Sequence, residues 1–216
     1  MTFTLQAARG YWDACAREDP IKYILTDQPY SFREYFETGR RQVQATFDHW
    51  VELGIKYPQD GLALDFGCGM GRLTSALEER GYGATGVDVS REMILKAIEH
   101  RQRPCSFHHS QHPDLRDFAD SMFSIVYSLI TLQHMPWTYQ RDYIREFLRV
   151  CKPDGLVYFG LPEGPADLPY VSALTMYGQD QHEVVCHIED CGATVLDAQY
   201  AEDSMPWRAY RYTVRP

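Results

Sequence analysis

The sequence predicts a doubly wound α/β domain, with a mostly parallel sheet of seven strands behind an N-terminal helical cap. Three observations carry this. Apolar strand-like runs alternate with amphipathic helical stretches after residue 60, the first strand ends in a glycine-rich turn, and two further strand patterns follow one another at the C-terminus. Alternation of this kind buries its strands only as a parallel sheet with right-handed crossovers. The expected division is a cap over 1–60 and a ligand-binding domain over 61–216.

Residues 1–60 are rich in aromatics (Tyr11, Trp12, Tyr23, Tyr30, Phe32, Tyr35 and Phe36), and periodicity predicts a helix from about Thr38, with Val43, Phe47, Trp50 and Val51 on one stripe. Gly61–Phe66 is an apolar run, followed by Gly67-Cys-Gly-Met-Gly71 and by a helix over 72–80 with Leu73, Ala76 and Leu77 on one face. Ala84–Val89 is a second strand, and Ser90 caps a helix that carries Met93, Ile94, Ala97 and Ile98. Cys105–His108 is a third strand. Met122–Leu132, apolar nearly throughout, reads as a fourth that is covered on both faces. Tyr143, Ile144, Phe147, Leu148 and Cys151 mark a helix stopped by Lys152-Pro-Asp-Gly155, with Leu156–Phe159 as the fifth strand. A helix from about Gln179 to Cys191 then precedes the strands Thr194–Tyr200 and Arg208–Val214.

Composition narrows the functional classes. Lys+Arg 21 against Asp+Glu 30 gives a net charge of −9, a field that repels a nucleic-acid backbone, so no nucleic-acid partner is expected. The six cysteines form no CxxC pair and read as reduced thiols. No stretch approaches the roughly 18 apolar residues of a membrane span, and no basic-then-apolar leader opens the chain, so a cytoplasmic protein without a membrane partner is expected, as a monomer or homodimer. The chain contains no asparagine, which removes every motif that depends on that amide.

The turn Gly67-x-Gly69-x-Gly71 falls where doubly wound sheets bind nucleosides. A dinucleotide fold would carry Gly-x-Gly-x-x-Gly and place a pyrophosphate on the helix N-terminus, whereas here the third glycine comes one residue early and Asp65 precedes the turn. That carboxylate would repel a pyrophosphate. It favours a ligand carrying an ammonium or sulfonium, by roughly 1 to 4 kcal/mol in a partly wet site. Asp88, at the tip of the second strand, is placed to accept from ribose hydroxyls. A ribose with a cationic amino-acid tail describes S-adenosylmethionine.

Leu64-Asp-Phe-Gly-Cys-Gly-Met-Gly-Arg-Leu-Thr74, Gly86-Val-Asp-Val-Ser90 and Arg149-Val-Cys-Lys-Pro-Asp-Gly155 resemble the successive motifs of class I S-adenosylmethionine-dependent methyltransferases. The resemblance covers residues 60–216, and Phe36-Glu-Thr-Gly-Arg40 is similar to the cap helix of the bacterial small-molecule members. It implies a Rossmann-like methyltransferase fold and a cofactor site built from Asp65, Gly67, Cys68, Gly69, Arg72, Asp88, Val89, Met93 and Leu129. Arg40 or Arg41 would reach the methionine carboxylate. The family's acidic adenine reader after strand three is replaced by Phe107-His-His-Ser-Gln-His112, where Ser110 or Gln111 can accept the same bond. The family's Phe-Asp at strand four is Phe123-Ser124 here, a structural position.

Methyl transfer mainly needs alignment and, for hydroxyl or amine acceptors, removal of a proton. His134, just past strand four, is expected at the same crevice as the glycine turn, either as that base or as a histidine packed beneath the cofactor. Tyr11, Trp12, Tyr35 and Trp137 are the expected acceptor-binding residues, and the 1–60 and 162–180 segments are expected to cover the donor. His108, His109 and His112 with Asp114 have ligand chemistry, but no acidic pair follows strand four and no metal site is expected. The reading is therefore methyl transfer to an oxygen or nitrogen of a small-molecule acceptor. An RNA or protein methyltransferase, or a non-methylating S-adenosylmethionine binder, is the alternative.

Overall fold

The computed structural model describes residues 3–25, 29–164, 176–201 and 208–216. They fall into two compact units, 1–111 and 112–216, and the whole of the expected cap lies in the first. The predicted covering segment 162–180 lies outside the described residues over 165–175.

In the first unit the cap consists of three helices: α1 (Leu5–Glu18), α2 (Pro20–Ile24) and α3 (Phe32–Glu52). Thr4 caps α1, and Asp19 caps α2, where proline at the first position costs no hydrogen bond. The third helix starts at Phe32, ahead of the Thr38 that periodicity predicts. The reason is a capping box, in which the Ser31 hydroxyl accepts from the Glu34 N–H and the Glu34 carboxylate accepts from the Ser31 N–H. Tyr35, Phe36, Gly39, Val43, Thr46, Phe47 and Trp50 form its buried stripe.

Strands β1 (Gly61–Phe66), β2 (Tyr82–Asp88) and β3 (Ser106–His109) pair in parallel in the order 3-2-1, with β1 to β2 registered from Gly61↔Tyr82 to Phe66↔Val87. Helix α4 (Arg72–Glu79) links β1 to β2, and α5 (Arg91–His100) links β2 to β3. Helix α3 crosses α4 at Gly39, where a Cβ would stand 2.3 Å from the Arg72 carbonyl oxygen. Backbone cannot yield there as a side chain would. Gly39→Ala is therefore expected to destabilise by about 2 kcal/mol and lower the melting temperature by about 5 °C, which a thermal melt followed by circular dichroism measures.

In the second unit, β4 (Phe123–Ser128), β5 (Cys151–Pro162), β6 (Thr194–Tyr200) and β7 (Ala209–Arg215) pair in the order 4-5-7-6. The β4–β5 pair is parallel, and β7 runs antiparallel to both β5 and β6. Seven strands thus make up a mixed sheet with flanking helices. The fourth strand is buried at every residue, as its apolar run predicts, but it ends at Ser128. A single 3₁₀ turn, Leu132–His134, takes up the remainder of the run before α6 (Trp137–Val150).

Strand β5 begins at Cys151, so Lys152–Gly155 is an excursion within the strand and not a turn before it. Phe123 pairs with Cys151 and Ile125 with Leu156, which leaves Ser124 alone opposite the excursion. The Lys152 ammonium donates to the Ser124 hydroxyl at 3.2 Å. Arg149 donates to Glu146, Asp120 and the carbonyls of Phe118 and Leu115, which ties the segment before β4 to α6. Helix α7 (Gln181–Asp190) is capped by Asp180 and precedes the β6–β7 hairpin. No helix among the described residues is long and apolar enough to cross a membrane.

Candidate functional site

The turn after β1 is built on three left-handed glycines, Gly67 (φ 74°), Gly69 (φ 52°) and Gly71 (φ 81°). Any side chain would be strained at these positions. A Cβ on Gly71 would also lie 2.7 Å from the Phe107 ring. The N–H groups of Gly67 and Cys68 both donate to the Val87 carbonyl, at 2.7 and 3.0 Å, which fastens the turn to β2.

Asp88 completes this scaffold. One carboxylate oxygen accepts from the Gly69 N–H at 2.9 Å and the other from the Ser90 N–H at 2.8 Å. The group is half-buried, and each oxygen keeps a further acceptor direction. Burial pushes its pKa up to about 6, against the lowering effect of the backbone donors at Ser90, Gly69 and Val89.

Asp65 lies at the end of β1, 1% exposed. Its Oδ2 accepts from the Thr74 hydroxyl at 2.6 Å, and its Oδ1 is buried without a hydrogen-bond partner. Burial raises its pKa to about 6, opposed by the Thr74 bond and by Arg72. Tyr35 of α3 is fully buried nearby. Its hydroxyl faces the Met70 backbone without a well-formed hydrogen bond and lies 3.8 Å from where a Cβ on Gly69 would be. Burial also raises the Cys68 thiol well above its ordinary pKa, which leaves it protonated and inert as a nucleophile.

The cap closes over this turn. A Cβ on Gly69 would meet the Ile24 Cδ1 at 2.7 Å. Tyr11 and Trp12, paired edge to face at 5.4 Å, pack half-buried against a core of Cys15, Ala16, Tyr35, Phe36, Met70 and Met93. Asp13 accepts from the Ser90 hydroxyl at 2.6 Å and the Glu92 N–H at 3.1 Å, so α1 caps the start of α5. Met93 is 1% exposed. The Val89 carbonyl bonds the His109 ring at 3.1 Å. Ser110 is buried, its N–H donates to the Asp88 carbonyl at 2.9 Å and its carbonyl accepts from Arg9 at 3.4 Å; Gln111 is exposed.

Two arginines expected at the cofactor are held by side chains of the fold. Arg40 makes a bidentate bond to Glu79 at 2.8 and 3.0 Å and pairs with Glu37 at 3.2 Å. Arg72 is buried and donates to the Gln42 side chain at 2.7 Å, which docks α3 on α4. Among the described residues no group of three or more His, Cys, Asp or Glu side chains is arranged to hold a metal. Asp114, with ligand chemistry in sequence, is bound to Arg116 at 2.7 Å.

In the second unit His134 ends the 3₁₀ turn, 9% exposed, and burial lowers its pKa to about 4. The ring is neutral near pH 7. Leu129 is buried, in contact range of Gly160, and Trp137 opens α6 with its ring 5.4 Å from that of His187.

Sequence reasoning misses Thr74, Asp13 and Gln42. Thr74 sits on the first turn of α4 and was within reach of a spacing argument from Asp65. Asp13 and Gln42 meet partners 77 and 30 residues away in the chain, and no local pattern marks them.

A parallel strand, a left-handed glycine turn and acidic residues at the tips of β1 and β2 define a Rossmann-like nucleoside-binding protein without the dinucleotide glycine spacing. Residues 64–159 match the family model of the methyltransferase domain. The chain is 32% identical over 117 residues to the ubiquinone biosynthesis O-methyltransferase of Idiomarina loihiensis, covering 50% of this chain and 47% of the relative. It is 31% identical over 100 residues to the enzyme of the same name from Methylococcus capsulatus, covering 45% and 41%. The matches thus span about half the length of these curated relatives. Among solved structures, magnesium protoporphyrin IX methyltransferase from Synechocystis PCC 6803 with bound S-adenosylhomocysteine superposes with a TM-score of 0.72 at 18% identity, over 99% of this chain and 100% of that one.

Proposed function

We propose that this chain transfers the methyl group of S-adenosylmethionine to an oxygen or nitrogen of a small-molecule acceptor. The observation that carries the reading is the buried, unpartnered Oδ1 of Asp65 beside the left-handed glycine turn, with the unsatisfied Tyr35 hydroxyl close by. Buried polar atoms are almost always paired, and an acceptor left open there fits a ligand ammonium.

The residues present fit the cofactor. Asp65 would hold the amino group, Asp88 the ribose hydroxyls, and the Gly67–Gly71 backbone would let the ligand approach closely. Ser110 or Gln111 would read the adenine edge, with Val89, Met93 and Leu129 as apolar walls. When bound, the cofactor supplies a methyl group activated by a sulfonium. The chain's own work is then to align the acceptor, exclude water through the cap, and accept a proton at His134. Tyr11, Trp12 and Trp137 are the proposed acceptor-facing aromatics. Arg40 is left out of the methionine site, because Glu79 and Glu37 already hold its guanidinium. The names of the curated relatives favour oxygen as the acceptor atom, and a net charge of −9 speaks against a nucleic acid.

Binding has a pH signature. A cation at Asp65 favours the ionised carboxylate, so the ligand lowers a pKa that stands near 6 in the free protein. Affinity for S-adenosylmethionine is therefore flat above about pH 7 and weakens below about pH 6, by up to roughly tenfold per pH unit. Calorimetry in two buffers of different ionisation enthalpy should register the proton released near pH 6. A pH-independent affinity would place the ammonium elsewhere.

Methyl transfer itself is tested by incubation with S-adenosylmethionine carrying a trideuterated methyl and a panel of phenols, catechols and nitrogen heterocycles. A product that gains the labelled methyl is expected. Tight cofactor binding with no labelled product across the panel would favour a non-methylating binder.

A further inference from the structure

The 3₁₀ turn that carries His134 is reached through a backbone conformation that its residue resists. Ile130, exposed just past β4, has φ 59°. A β-branched side chain in the left-handed region is a genuine outlier, and such a conformation persists only where its surroundings over-determine it.

Gln140 is hydrogen-bonded to the turn that follows Ile130. It lies on the first turn of α6, is 0% exposed, and its amide nitrogen donates to two backbone carbonyls, that of Leu132 at 3.1 Å and that of Tyr177 at 3.2 Å. Leu132 belongs to the His134 turn, where its carbonyl also accepts from the Met135 N–H at 3.0 Å. Tyr177 in turn donates its N–H to the Gln133 carbonyl at 2.8 Å. The glutamine's own Oε1 is buried without a partner. A side chain that served only to fill the core would be better as an apolar residue of the same size, since it would leave no orphaned acceptor.

We infer that Gln140 is a positioning residue, a clamp that joins the His134 turn to the strand-edge segment at Tyr177 and holds the left-handed link at Ile130 in place. This rests on the proposed role of His134 for its catalytic meaning, but the clamp itself is a structural claim that can be tested without an acceptor. It predicts that the two positions are coupled. Removing the amide donors lets Ile130 relax and the turn drift, whereas glycine at 130 adopts the same φ without strain and makes the clamp dispensable.

The test uses the full chain and three variants: Gln140→Met, which keeps size and removes both donors, Ile130→Gly, and the two combined. The readouts are the His134 ring resonances, assigned by their loss in His134→Ala, and amide hydrogen exchange at His134 and Tyr177. Gln140→Met is expected to displace and broaden the His134 signals and speed exchange at both amides by about tenfold or more, with S-adenosylmethionine affinity within about twofold of the parent. Ile130→Gly alone should leave the ring signals in place, and the double variant should return them toward the parent positions. Unmoved His134 signals in a folded Gln140→Met would overturn the clamp. So would a double variant as disordered at the turn as Gln140→Met alone. If the signals move as expected while His134→Ala retains full turnover, the clamp stands and the chemical role of His134 falls.

Discussion

Alanine at position 134 is expected to lower turnover by roughly 100-fold while S-adenosylmethionine affinity stays within about twofold. The magnitude belongs at the lower end of general-base effects, because burial holds the ring pKa near 4 and so makes His134 a weaker base than an ordinary imidazole. The same burial keeps the ring unprotonated and ready across the physiological range. At saturating S-adenosylmethionine, turnover in the parent protein should therefore rise with pH through about 4 and be flat above about 6, and this acid limb should vanish in His134→Ala. The unfolded chain takes up this proton near pH 6.5 and the folded one only near 4, so stability declines as pH falls through that window. Rates below about pH 5 accordingly need a parallel measure of the folded fraction. A packing histidine behaves differently: its loss lowers stability, leaves the pH limb in place and costs only a few-fold in rate. Initial rates from pH 4 to 8 for parent and variant decide between the two.

Asp88→Ala is expected to weaken S-adenosylmethionine binding by roughly 30-fold, about 2 kcal/mol. Two losses combine. The ribose hydroxyls lose their acceptor, and the N–H groups of Gly69 and Ser90 lose the carboxylate that fixes the turn and the start of α5. Asp88→Asn separates them, since one amide oxygen can serve a single backbone donor while the amide nitrogen opposes the other. It should fall between parent and alanine. Unchanged affinity in Asp88→Ala would remove the ribose assignment, and calorimetric titration of the folded variants gives the answer directly.

The parts of this fold that were legible in the sequence are those with a local physical signature. Glycines at 67, 69 and 71 announce backbone that only glycine tolerates, and β1 and β6 fall at the predicted residues because apolar runs and turn residues bound them on both sides. The start of α3 was written in Ser31-x-x-Glu34, a local signal that outranks the apolar stripe. The extent of β5 was not legible, because Lys152–Gly155 reads as a stop while the strand resumes pairing beyond it, and only the register against β4 shows this.

Side-chain partners at long range account for the rest. Arg40 looked available for a carboxylate because Glu79, 39 residues on, leaves no mark near it in the sequence. Gln140 looked like an ordinary helix residue because its partners are carbonyls at Leu132 and Tyr177. The acidic residues at the tips of β1 and β2 were legible by position. That Asp65 is half satisfied by Thr74 and half open required the folded chain.

The acidic, glycine-built turn in residues 61–111 is proposed to bind S-adenosylmethionine through Asp65 and Asp88. Titration calorimetry of the purified chain with S-adenosylmethionine at pH 7.5, beside NADH under the same conditions, tests it most directly. Saturable one-to-one binding of S-adenosylmethionine with no measurable binding of NADH is the predicted result. No saturable binding of S-adenosylmethionine, or an equal affinity for NADH, would rule out this turn as an S-adenosylmethionine site.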